Sequence, residues 1–406
     1  MRIRGFRHAL SSCVAAILLA GCGGSQPPLS SSAGGFAPQR SLVEDAYRVL
    51  YSFGGSSGVN PFAGLIDVKG TLYGTTAEGG TYDGGTVFAI SGTGKEIVLH
   101  NFGASGDGKW PIGDLLDVNG TLYGTTVIGG TDNDGTVFEI AKSGEETVLH
   151  SFGGTSNGDG AQPSAGLLNV NGTLYGTTAS GGSHGYGTVF SITKNGKEIV
   201  IHGFGNSGDG SIPEAPLLNV NGTLYGTTEF GGAYGYGSYG YGTVFEINKS
   251  GNEAVLHNFG RPHDGAVPSA GLINVSGVLY GTTWTGGTGC NSEGGCGVVF
   301  EITTSGTENV RYSFKGGPSD GDYPAAGLLN VNGTLYGTTL EGGASNNGTV
   351  FAIEKSGKER LIHSLKGGPK DGAGPHASLV DVNGTLYGTT KSGGADNDGT
   401  VFTLSP

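Results

Sequence analysis

The residues able to do chemistry in this 406-residue chain fall into those it repeats and those it does not. An Asp-Gly pair precedes the proline that opens most repeat units, at Asp107, Asp159, Asp209, Asp264, Asp320 and Asp371, whereas the first unit has Asn60-Pro61. In a ring of such units these connections, like the double-glycine loops, would surround one mouth of a central channel, where a ring of acids would attract a cation or a cationic ligand. Asp-Gly is equally turn chemistry, in which the carboxylate accepts backbone N–H groups. Histidine recurs at His100, His150, His202, His257 and His363, with Tyr51 and Tyr312 at the two remaining stations. Standing one per unit on separate strands, they cannot converge on one metal and read as packing aromatics. His184, His263 and His376 read as scattered loop residues. Segments 132–135 and 396–399 look faintly like calcium loops but lack the later bidentate glutamate. Two G-x-S-x-G matches, at 54–58 and 181–185, do not sit between a strand and a helix as a nucleophile elbow must. No carboxylate pair, triad or metal cluster stands outside the repeat, which predicts a protein without enzymatic activity, cofactor or metal.

The unrepeated residues are the better functional candidates, because recognition usually sits in connections while a scaffold needs regularity. The fourth unit carries an enlarged loop, AYGYGSYGYG, with Tyr234, Tyr236, Tyr239 and Tyr241. The fifth places Trp284 beside a short loop bounded by Cys290 and Cys296. Aromatic faces there would stack on sugar rings or engage a peptide or protein; a neutral Gly/Tyr expansion is the plain alternative. Trp110 beside Pro111 is a weaker candidate. An exported, oxidising setting favours a disulfide between Cys290 and Cys296.

What must position these residues is a tandem repeat. LYGTT occurs at 72–76 and its tyrosine returns at Tyr123, Tyr175, Tyr225, Tyr280, Tyr336 and Tyr387, a period of 50 to 56 residues. Each unit parses into four short β-branched and aromatic runs. The first two are joined in most units by Asn-Gly, a strong two-residue hairpin signal, and no run has helical period. Four antiparallel strands per unit, seven times, match the blades of a β-propeller. The ends decide closure. Segment 47–53 is a fourth-strand sequence with no partners before it, and 400–404 is a third strand with no successor. The all-β prediction is therefore a seven-bladed propeller over 46–406, closed by an N-terminal strand that completes the last blade and removes its open edge.

The chain begins with Arg2, Arg4 and Arg7, an apolar stretch at 9–20 and then LAGC, which reads as a signal peptide over 1–21. LAGC resembles the lipobox of bacterial lipoproteins, which implies lipidation of Cys22. Residues 22–45 then read as the lipidated cysteine and a flexible Ser/Gly/Pro linker. Gly23 after the cysteine suggests outer-membrane or cell-surface retention. Only 14% of residues are charged and the net charge is -13, so the basic footprint of a nucleic-acid binder is missing.

The units LYGTT, GG and GTVF, repeated over nearly the whole mature chain, also resemble the GloVer tandem-repeat proteins, a bacterial group carrying varied surface anchors. The fifth unit departs modestly, with GVVF at 297–300. The resemblance implies the family and no particular activity. The resulting expectation is a monomeric, lipid-anchored envelope propeller. It would bind a glycan, peptide or envelope protein on the double-glycine face. An extracytoplasmic hydrolase or lyase acting on a glycan or other polymer, and a purely structural surface protein, are the alternatives.

Overall fold

The computed structural model describes residues 47–406, apart from 142, 237–238 and 291–293. The segments expected to be a signal peptide (1–21) and a linker (22–45), with Cys22, lie outside the described residues. Seven four-stranded antiparallel sheets follow one another along the chain. In the first blade the strands are Ile66–Val68, Thr71–Thr76, Thr86–Ser91 and Glu96–Asn101, paired in that order from the axis outward. The two-residue turns take positive φ as their sequence demands, with Asn119 at 57° and Gly120 at 85° in the second blade. The Gly120 N–H is further satisfied by Asp117 Oδ1 at 2.7 Å.

The ring closes as the orphan strands require. Arg48–Ser52 pairs antiparallel with Thr400–Leu404 and completes the seventh sheet. The short inner strands touch their neighbours around the axis, and Val380–Val382 of the last blade meets Ile66–Val68 of the first.

The core lies between blades. Phe102, leaving the outer strand of the first blade, meets Phe138 of the second edge-on at 4.9 Å, and Phe204 meets Phe245 two seams later at 5.1 Å. Each such pair adds directional contact to the burial of two rings. The glycine of LYGTT makes room for it: a Cβ on Gly74 would stand 2.7 Å from Phe88 Cζ. The two threonines divide their labour. Thr126 shares a 2.8 Å hydroxyl bond with Thr136 of its own blade, while Thr125 donates to the Ala165 carbonyl of the next blade at 2.9 Å. LYGTT is thus packing and seam chemistry, as expected of residues present in every unit.

Candidate functional site

The six aspartates do not ring the channel. Each is held at a blade seam by the histidine or tyrosine of the preceding outer strand, contrary to the expectation of a carboxylate ring at the channel mouth. Asp107 Oδ2 lies 3.1 Å from His100 Nε2 and accepts the Gly103 N–H, while Oδ1 accepts Gly108 N–H. Asp159, Asp209 and Asp264 repeat this with His150, His202 and His257 at 3.0 to 3.1 Å. Asp320 takes the Tyr312 hydroxyl at 2.7 Å, and Asp371 stands 3.5 Å from His363. The glycine after each aspartate pairs with the double-glycine loop, as Gly108 does with Gly129. The two connections therefore do share a face, and they use the Asp-Gly pair as a clasp. The matching residue in the first blade is Ser57, which accepts the Gly54 N–H at 3.1 Å; Asn60 occupies a different station.

A glutamate from the next blade completes most seams. Ligand atoms of His100, Asp107 and Glu146 lie within 4.8 Å of one another, as do those of the equivalent groups at His150, His202 and His257. Burial, reinforced by the neighbouring aspartate, pushes Glu146, Glu198, Glu253, Glu308 and Glu359 up to about 7. Repetition in blade after blade marks these as joints.

The unrepeated aromatics separate. Tyr241 lies where a Cβ on Gly260 would strike its ring, covering the exit of the fourth blade's outer strand, and Tyr186 covers Gly205 in the same way. Tyr234 is exposed, accepts a 3.0 Å bond from Arg261 Nε and lies under its guanidinium. Tyr236 and Tyr239 pair in a small hairpin whose side chains lie outside the described residues. Cys290 and Cys296 form a disulfide, and its sulfurs crowd Gly316, one residue past the position equivalent to Gly260. Trp284 goes elsewhere, into the axial cavity, with its ring edge-on to Tyr323 at 6.1 Å.

That cavity, of about 390 Å³, is where the blades stop resembling one another. The residue after each opening proline faces it: Phe62, Ile112, Ser164, Glu214, Ser269, Ala325 and His376. Glu229 and Trp284, each following LYGTT in its own unit, join them, and Asp114 projects from the second blade. Glu214 and Glu229 belong to the fourth blade, His376 to the seventh and Phe62 to the first. Blades four and seven are as far apart as a ring of seven permits, so the acid pair and the His376–Phe62 pair, ring centres 3.8 Å apart, occupy opposite walls.

Burial dominates the electrostatics. It raises Glu214, and together with the Glu214 charge it pushes Glu229 up to about 8, so the pair holds a proton at neutral pH. Burial raises Asp114 against the opposing Gly64 N–H at 2.6 Å, and burial with the nearby Lys391 charge holds His376 down at about 4, neutral. The Ser164 and Ser269 hydroxyls, in the blades flanking Glu214, are buried without a partner. A carboxylic acid across the cavity from a neutral imidazole can donate a proton while the imidazole accepts one.

Glu214 and Glu229 form a carboxylate pair outside the repeated acidic stations, contrary to expectation, and His376, a loop residue as expected, faces the axial cavity with them. Glu214 and Glu229 are 15 positions apart and neither falls on a repeated acidic station. The available signal was disagreement among the seven copies at a fixed place after proline. A second unforeseen feature sits two residues earlier, just before the proline. Asn60, Trp110, Gln162, Ile212, Val267, Tyr323 and Gly374 all take φ between 56° and 62°. That conformation is disfavoured for the branched and bulky members.

A family model described as the Gloeobacter/Verrucomicrobia repeat matches residues 30–239 and 233–406. Among curated proteins no sequence relative matches. Among solved structures, a streptogramin B lyase superposes with TM-score 0.58 at 13% identity, covering 88% of this chain and 96% of its own. Virginiamycin B lyase from Staphylococcus aureus gives 0.53 at 13% identity, over 86% and 95%. At this identity the likeness shows the propeller fold alone.

Proposed function

The chain belongs to the Gloeobacter/Verrucomicrobia repeat family, and from that premise we propose that it is a binding module displayed on the bacterial envelope, holding a small ligand in its axial cavity. One observation carries the reading: seven blades that agree nearly everywhere differ in the residues facing that cavity. Its volume suits a small molecule. Lipid attachment through Cys22 would tether the ring outside the cytoplasm. Tyr234 and Tyr241, at the outer rim, then serve contacts to larger partners such as a glycan or envelope protein.

Trp284 offers the test. With Trp110→Phe it becomes the sole indole, since the chain has two tryptophans. Metabolites that raise the melting temperature in a thermal-shift screen are expected to change its emission. Stabilising compounds that leave Trp284 emission unchanged would place the site elsewhere.

A second reading, an extracytoplasmic hydrolase or lyase, is favoured by the protonated Glu229 facing a neutral His376, an acid and a base in one cavity. The lyase titles of two fold neighbours agree with it without carrying it. Turnover of a screen hit, lost in Glu229→Gln with binding retained, would favour this reading over simple binding.

A further inference from the structure

Resting on the axial-cavity reading above, we infer that the ligand is a small organic cation, an amine or guanidine with an apolar body, whose charged end sits between Glu214 and Glu229. Three carboxyl groups line the cavity, those of Asp114, Glu214 and Glu229, and no lysine or arginine does. Among the described residues no hydrogen bond reaches the side chains of Glu214 or Glu229, so their acceptor capacity is free. The orphaned hydroxyls of Ser164 and Ser269 stand in the flanking blades, adding acceptors on either side of Glu214. A group presenting several N–H donors satisfies such a wall, whereas an anion would be repelled by it.

The rest of the cavity fits the ligand's body. Phe62, Ile112, Ala325, Ala326 and Trp284 are apolar or aromatic, and an aromatic face toward a cation adds attraction in a desolvated site. A metal ion fits less well. Among the described residues, groups of three ligand atoms within 4.8 Å occur at the blade seams and around the disulfide, and none includes Glu214 or Glu229. Two carboxylates without a third close donor suit the broad hydrogen-bonding head of an organic cation better than the compact shell of a metal.

The charged and titratable groups facing Glu229 are Glu214, Asp114 and His376, and the Lys391 charge is near enough to lower His376. An entering cation favours the ionised form of Glu229, so binding is expected to release a proton near neutral pH, and affinity to rise as pH rises toward about 8.

The experiment is calorimetric titration of the full chain with putrescine, agmatine and choline, and with glucose and N-acetylglucosamine as neutral probes, in two buffers of different ionisation enthalpy. At least one cation is expected to bind with buffer-dependent heat, and Glu214→Gln or Glu229→Gln to weaken it by about 10- to 100-fold. Ala325→Phe is the blocking control, since Phe62 already occupies that station in the first blade; it is expected to abolish binding while leaving the circular dichroism unchanged. A neutral probe that binds and is blocked by Ala325→Phe, or cation binding indifferent to both glutamine variants, overturns the ligand class and leaves the cavity as the site. Binding that survives Ala325→Phe overturns the cavity reading itself, and absence of binding by every cation overturns the inference.

Discussion

Thr389, in the last blade, donates its hydroxyl to the carbonyl of Ala63, in the first, at 2.9 Å across 326 residues of chain. The same bond joins Thr125 to Ala165 and Thr177 to Ala215 between consecutive blades. The ring is thus closed by the contact that joins most of its other members; at the first seam the equivalent Thr75 hydroxyl is buried without a partner. Thr389→Val keeps the shape, removes the donor and strands a buried carbonyl, a cost of about 1 to 2 kcal/mol. Denaturant unfolding should show Thr389→Val and Thr177→Val destabilised alike. A neutral Thr389→Val would mean that the first and last blades do not meet in solution.

Strand Arg48–Ser52 covers the edge of Thr400–Leu404. Deleting residues 1–53 removes that cover and Phe53, which packs edge-on against Phe88 at 4.9 Å. An uncovered strand edge recruits another chain. Light scattering should find the intact protein monomeric and the truncated one associated or aggregated.

The architecture was legible because its signals are local and repeated: the Asn-Gly turns, the period of LYGTT and the complementary ends. The carboxylates were harder to place. The blade topology puts the connection carrying Asp107 on the mouth face, but its side chain turns back to His100 on the outer strand, a contact set by how the connection folds. Asn60 was matched to the aspartates by its proline, whereas hydrogen bonding matches Ser57 to them. Glu214 and Glu229 meet because a turn of blade returns the chain to the same wall, a relation that no spacing rule for a single strand announces.

The seam glutamates predict a pH dependence. In the unfolded chain Glu146, Glu198, Glu253, Glu308 and Glu359 titrate near the ordinary value, about 4.3. Folded, burial holds them at about 7. Between those values the folded protein binds more protons than the unfolded one, so these groups make stability fall as pH rises through about 7. Thermal melts should give a lower midpoint at about pH 8 than at about pH 6, with a shallower slope in Glu253→Gln, which cannot ionise. A midpoint that rises over this interval, or a slope unchanged in Glu253→Gln, would show that the seam glutamates are ionised at neutral pH.

The strained ring before the prolines separates fold from function. Val267 holds φ at 59°, and Ile212 holds the same angle in the preceding blade. Left-handed backbone costs an L-residue roughly 1 to 2 kcal/mol, and short polar side chains tolerate it best. Asn60 occupies the equivalent station in the first blade at φ 56°. Val267→Asn should therefore raise stability by about 1 kcal/mol in denaturant unfolding, since its backbone N–H bond to Tyr241 at 2.9 Å and its carbonyl bond from Trp284 at 2.9 Å are untouched. A gain would mean that valine is kept there for something other than folding, and its position two residues before the cavity-lining Ser269 makes ligand selection the natural reason. A loss of stability would instead identify packing of the Val267 side chain as the force that holds the backbone in this conformation.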